Sequence, residues 1–202
     1  MNDITLAQNR SVRYHESGHT LALFLISQSK ERVFRAAFSH QILLSEREGG
    51  VKINNQVRLT EARWIMLFLA WCLAQNMTDE NVEEFFLKRT WEKYKNSDTQ
   101  KIIEILIHES HIHPLLIRAT LSELYNTCQE YLSSKFLLGY YVQKIAHAHH
   151  KKQSLEADDI IGILGKDIPK LYFTTTIQDL EERVETILER YRRRSKDISP
   201  PR

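Results

Sequence analysis

Tyr14-His15-Glu16-Ser17-Gly18-His19 lies within a run, residues 5–26, that reads as one helix. On a helix, side chains four positions apart share a face. His15 and His19 are spaced to point their imidazole nitrogens at one metal ion. Glu16, one step round the helix, reaches a water on that ion without ligating it, which is the position of a general base.

This is the H-E-x-x-H pattern of zinc peptidases, with two His ligands and a Glu base. The same residues also read as a plain helix bearing two surface histidines and a glutamate. Two details weigh against that. Thr20-Leu21-Ala22-Leu23-Phe24-Leu25-Ile26 follows directly, so the helix is buried, and buried His and Glu side chains need partners. Gly18 costs roughly 1 kcal/mol of helix stability relative to Ala, which points to a close approach to the backbone there.

The 202 residues suffice for one well-cored domain with an appendage. Hydrophobic content of 42% and charged content of 27% are those of an ordinary globular chain, and with only 6 Gly and 4 Pro the sequence favours helix over loop. A net charge of +2 gives no case for nucleic acid or an anionic membrane as partner. Cys72 and Cys128 fall inside helical patterns and read as reduced core thiols in a cytoplasmic setting. Residues 1–9 carry no apolar core and are not a signal peptide. The most apolar run, residues 64–74, falls short of the roughly 20 residues a membrane span needs, so it reads as a buried core helix. No G-x-x-x-x-G-K-[ST] loop occurs, which excludes P-loop ATP binding.

Past the motif helix, Arg32-Val33-Phe34-Arg35-Ala36-Ala37-Phe38 reads as a strand and Ser39 onward as a polar stretch. Gly49-Gly50 signals a turn, and Val51-Lys52-Ile53 alternates. A small sheet or hairpin beside the motif helix follows, either a plain structural hairpin or an edge that holds an extended peptide by strand addition. Thr60 caps the next helix, with Glu61 in its first turn, and that helix runs to Asn76. Thr78-Asp79-Glu80 starts another, which Lys95-Asn96-Ser97 breaks. Asp98 opens a helix carrying Ile102, Ile103, Ile105 and Leu106.

In this order the chain resembles the peptidase domain of the FtsH-type ATP-dependent zinc metalloproteases. His15-Glu16-Ser17-Gly18-His19 matches the family's H-E-x-G-H helix, Gly50-Val51 its small β unit, and Asn96-Ser97-Asp98-Thr99-Gln100 the segment that completes the zinc site. A long helix over residues 117–151, followed by Ser154-Leu155-Glu156-Ala157-Asp158-Asp159-Ile160, matches the end of the domain. The resemblance covers residues 5–165. It implies a mostly helical α+β, zincin-like fold with a small sheet beside the H-E-x-x-H helix. It also implies His15, His19 and Asp98 as Zn2+ ligands and Glu16 as general base. Three protein ligands leave a position for water, the catalytic form of a zinc site. Without the resemblance, Asp98 reads as a solvated first-turn helix acid.

The chain departs from the family where Gly-Gly-Arg-Ala-Ala-Glu becomes Ala70-Trp71-Cys72-Leu73-Ala74-Gln75. If the family's acid supports a zinc ligand, its replacement by Gln75 costs up to about 10–100-fold in affinity or activity. The family's ATPase module and membrane anchor are not in the sequence, so a separate AAA+ ATPase is the expected partner for folded substrates.

Two other His groups invite a metal reading. His108 and His111 share a helix face before Pro114 ends the pattern, and His147-Ala148-His149-His150 sits at the end of a long helix, where cations suit the dipole. Beyond Gly165, Thr176 caps a last helix whose Ile177, Leu180, Val184, Ile187, Leu188 and Tyr191 form a heptad-like seam for the body or for a second copy of the chain. The domains are then 1–165, a helical extension 166–195, and a disordered tail 196–202 within the basic, Pro-ended stretch 192–202. The reading is a metalloendopeptidase acting on unfolded polypeptides. Its rival is an inactive adaptor that keeps the peptidase fold.

Overall fold

The computed structural model describes residues 3–27, 31–43, 49–54, 58–76, 98–133, 137–149, 152–164 and 170–198. They form a mostly helical chain with one three-stranded antiparallel sheet. Helix α1 (Asp3–Ile26) carries the motif. Its last turns are buried on every side: Leu21, Leu23 and Phe24 are no more than 1% exposed. Burial of one such side chain contributes about 1.5–3 kcal/mol. The main partner of α1 is α3 (Glu61–Asn76), the apolar run that reads as a core helix in the sequence. Ile65, Leu69 and Ala70 are fully buried, and Thr60 Oγ1 caps α3 by accepting from the Arg63 N–H at 3.3 Å. No helix among the described residues is long and apolar enough to cross a membrane.

The stretch that reads as a strand at 32–38 is instead a short helix, α2 (Glu31–Ala37), and the strand β1 (Phe38–Leu43) begins where the polar stretch was expected. The reason is period: Phe34 and Ala37, three apart, are the buried pair, while Val33 points outward at 43% exposure. Phe34 stacks on Phe38 at 4.8 Å and meets Phe24 edge-on at 5.1 Å, so packing against α1 outweighs the β-branched side chain. Strand β2 (Gly49–Ile53) pairs antiparallel with β1, Gln41 opposite Val51. A third strand, β3 (Ser154–Glu156), unforeseen from the sequence, pairs with the other side of β1. The order β2-β1-β3 leaves β2 at an edge. Thr20 Oγ1 donates to Gln41 Oε1 at 2.7 Å, both side chains fully buried, and this fixes the sheet one residue beyond His19.

Helix α4 (Asp98–Glu104) runs into a π-turn, Ile105–Glu109. The Ser110 N–H donates to Ile105 O and the Ile112 N–H to Leu106 O, both at 2.8 Å, with His111 left-handed at φ 54°. A left-handed residue just past the end is a common helix stop. A 3-10 turn, Pro114–Leu116, follows. Of the long helix expected over residues 117–151, residues 134–136 and 150–151 lie outside the described ones. The rest contain α5 (Ile117–Ser133) and α6 (Leu137–Ala148), which pack against each other as one straight rod cannot. Helix α7 (Ala157–Leu164) starts with Asp158 and Asp159, and Asp159 Oδ2 accepts from the Glu156 N–H at 3.0 Å.

The last helix, α8 (Lys170–Ile198), begins before Thr176, which is an interior, buried residue and not its cap. It continues through Ile198, so residues 196–198 are helical where a disordered tail was expected. The Ile177-to-Tyr191 seam is buried against the body, chiefly on α5, in one core with the rest of the chain. The helix expected from Thr78 and the break at Lys95-Asn96-Ser97 lie outside the described residues, as do the side chains of Cys72 and Gln75.

Candidate metal centre

Helix α1 delivers His15 and His19 to one face, and their rings meet edge-on with centroids 5.0 Å apart. Asp98, on the first residue of α4, arrives at the same point. Its Oδ2 lies 3.2 Å from His15 Nε2 and 2.9 Å from His19 Nε2. Among the described residues these three are the only group of His, Cys, Asp and Glu donors that converges, with ligand atoms all within 4.8 Å of one another. Of the four side chains expected at the site, His15 is 25% exposed and Glu16, His19 and Asp98 are nearly enclosed.

His19 is oriented from behind. Its Nδ1 lies 3.0 Å from Leu67 O, on α3. A carbonyl only accepts, so Nδ1 carries the hydrogen, and in the neutral ring Nε2 then presents a lone pair. That lone pair faces a carboxylate oxygen. Burial alone pushes the Asp98 carboxyl up, but the neighbouring imidazoles of His15 and His19, with the Lys101 ammonium beyond them, hold it well below the usual carboxylate range. Two acceptors at 2.9 Å require a proton or a cation between them. A divalent cation satisfies both imidazoles and the carboxylate at once, so the donor set fits a His-His-Asp zinc site.

Glu16 stands beside this group, its Oε1 3.9 Å from His15 Nε2. Burial is the main cause that lifts its carboxyl to about 7. His15 opposes the rise, Asp98 adds to it, and Lys101 and a hydrogen bond from the Val51 N–H oppose it. Edge strand β2 therefore reaches the Glu16 carboxyl, through the residue after Gly50. An added Cβ at Gly50 meets nothing within 4 Å, so space does not enforce that glycine.

Three further contacts escape a reading of the motifs. Lys101 Nζ donates to Asp98 Oδ1 at 2.9 Å. Phe68 presents its ring edge-on to His19 at 6.1 Å, and Leu67 supplies the carbonyl. The three-residue step from Asp98 to Lys101 is legible as a helix pair, but nothing local marks Leu67 or Phe68.

Among the described residues the other His groups do not assemble. The stop at Ser110 and His111 prevents His108 and His111 from sharing a helix face. His113 accepts from the Leu115 N–H through Nδ1 at 3.3 Å, as a cap. His149 is buried, with Nδ1 donating to Lys152 O at 3.2 Å, and His150 is outside the described residues. Cys128 is a buried free thiol whose pKa burial pushes up to about 12, consistent with a reduced core cysteine. No family model, curated protein or solved structure matches the chain.

Proposed function

We propose that the chain is a zinc-dependent metalloendopeptidase of FtsH-like type that hydrolyses unfolded polypeptides. The observation that carries this is the convergence of His15 Nε2, His19 Nε2 and Asp98 Oδ2, with the Glu16 carboxyl beside them. His15, His19 and Asp98 hold the metal in this reading. Bound zinc supplies a Lewis acid that activates water and polarises a carbonyl. Glu16 takes the proton released in the attack on the peptide carbonyl and passes it to the leaving amine. Its enclosure keeps bulk water from competing for that proton. Edge strand β2, joined to Glu16 through the Val51 N–H, offers backbone pairing to an extended chain. Only an unfolded segment lies flat along such an edge, so folded proteins need a separate AAA+ ATPase partner.

Metal analysis and peptidase assays test the reading together. About one zinc per chain is expected, lost in His15→Ala, His19→Ala and Asp98→Ala. Glu16→Gln keeps zinc and fold, while hydrolysis of denatured proteins falls about 10²–10⁴-fold. Zinc-loaded wild type that cleaves several unfolded substrates no faster than Glu16→Gln, with candidate ATPases present, leaves the adaptor reading instead.

A further inference from the structure

Resting on the metal-site reading of His15, His19 and Asp98, we propose that Lys101 is a positioning residue that restricts Asp98 to one ligating oxygen. The two oxygens of Asp98 have different partners. Oδ2 faces both imidazole nitrogens, at 3.2 and 2.9 Å, and Oδ1 takes the Lys101 ammonium at 2.9 Å. The carboxylate is only 11% exposed, so little water competes for Oδ1.

Lys101 is itself seated. Its Nζ lies 5.1 Å from the Phe68 ring centroid, within cation–π range. Phe68 stacks on Trp64, with centroids 5.5 Å apart and planes 17° apart, and meets His19 edge-on. The chain of contacts Trp64, Phe68, Lys101, Asp98 ties α3 to α4 through the side chains that also border His19. The Lys101 side chain is itself 49% exposed, so the aromatic seat and not burial holds its ammonium on Oδ1.

The consequence is chemical. Carboxylates bind cations through one oxygen or through two. Were Oδ1 untethered, a small tilt of the Asp98 carboxylate would let both oxygens serve a bound cation, adding a donor beside the three protein ligands and the water and raising the coordination number to five. By holding Oδ1, Lys101 keeps the donor count at three. Its positive charge opposes a nearby cation, so its contribution lies in coordination number and not in tighter binding.

Visible absorption of Co2+-loaded protein reads the donor count without any assay of activity. Wild type and Lys101→Arg, which also donates to Oδ1, are expected to give the intense bands of a four-coordinate ion. In Lys101→Met those bands fall several-fold as Asp98 adds its second oxygen. Lys101→Ala is the second variant, with the same loss expected, and melting curves of the metal-free proteins show that each is folded. Folded Lys101→Met and Lys101→Ala that bind one Co2+ with the wild-type spectrum overturn the proposal. Failure of wild type to bind Co2+ at all overturns the metal-site reading beneath it, so the two failures are distinct.

Discussion

The interior where α1, α3 and α4 meet and the interior between α5 and α8 are built on opposite principles. The first encloses two imidazoles and two carboxyls, Glu16 and Asp98, within reach of one another. The second is an apolar seam in which Leu180, Val184, Leu188, Leu124 and Cys128 are at most 1% exposed. Its charges stay at the rim, as in Arg190–Glu123 and Arg63–Glu181. An apolar seam is stable whatever the solvent holds, because its free energy comes from area removed from water. A buried polar cluster is complete only with the right counter-charge. If the first region holds a metal as proposed, its stability depends on that cation, and that of the second does not.

Metal removal tests this difference most sharply. At free metal near 1,000 times the dissociation constant, binding stabilises the fold by about 4 kcal/mol. A chelator is expected to lower the wild-type melting temperature and leave that of His19→Ala unmoved. Equal shifts in both proteins place the chelator's action elsewhere. Leu180→Ala disturbs the other region. It should cost about 2–5 kcal/mol, with metal content retained. If instead the solution mass drops while the melting temperature holds, the seam joins two chains and not two helices of one.

Arg192 probes the border of the seam. Its Nε donates to Ser110 O at 3.0 Å and its guanidinium pairs with Glu61, which also accepts from Ser110 Oγ at 2.6 Å. Arg192→Met leaves the half-buried Glu61 carboxylate without its cation, and a loss of about 1–3 kcal/mol is expected in urea titration.

The smallest effect concerns pH. Burial is the main cause holding the His149 pKa below its ordinary 6.5, with nearby Arg13 also lowering it and the Lys152 carbonyl opposing. The unfolded chain then binds the proton more readily. The stabilisation by neutral His149 is fully present above about 6.5 and is lost as pH falls through the lowered folded value. His149→Gln should flatten the melting temperature between pH 7 and 5. An unchanged slope removes His149 from the acid response.

The legible parts of this molecule are those whose signals are local. His15 and His19 share a face because four residues make about one turn. The core helix at 61–76 follows from its apolar content, and the Ile177-to-Tyr191 seam from its three-four spacing. The alternation of Val51-Lys52-Ile53 marks β2, although Gly49 and Gly50, expected as a turn, are already strand residues paired with Leu43 and Ile42. The illegible parts are those in which a distant neighbour wins. Val33 argues for a strand, yet Phe24 and Phe34 turn that segment into a helix. Ser154-Leu155-Glu156 has no strand signal of its own and pairs only because β1 offers an open side.

The site divides in the same way. The sequence by itself determined two imidazoles and a glutamate on one helix, since helical geometry is set by backbone hydrogen bonding within the segment. Only the tertiary structure brought Asp98, 79 residues beyond His19, to the same point. It also chose the Leu67 carbonyl to orient His19, the Val51 N–H to bind Glu16, and Lys101 to divide the two oxygens of Asp98. Apart from the three-residue step from Asp98 to Lys101, none of these is a property of a pattern. Each depends on where helices come to rest when their apolar faces are buried, and burial selects a packing through the summed contacts of the whole core, to which no short window of sequence has access.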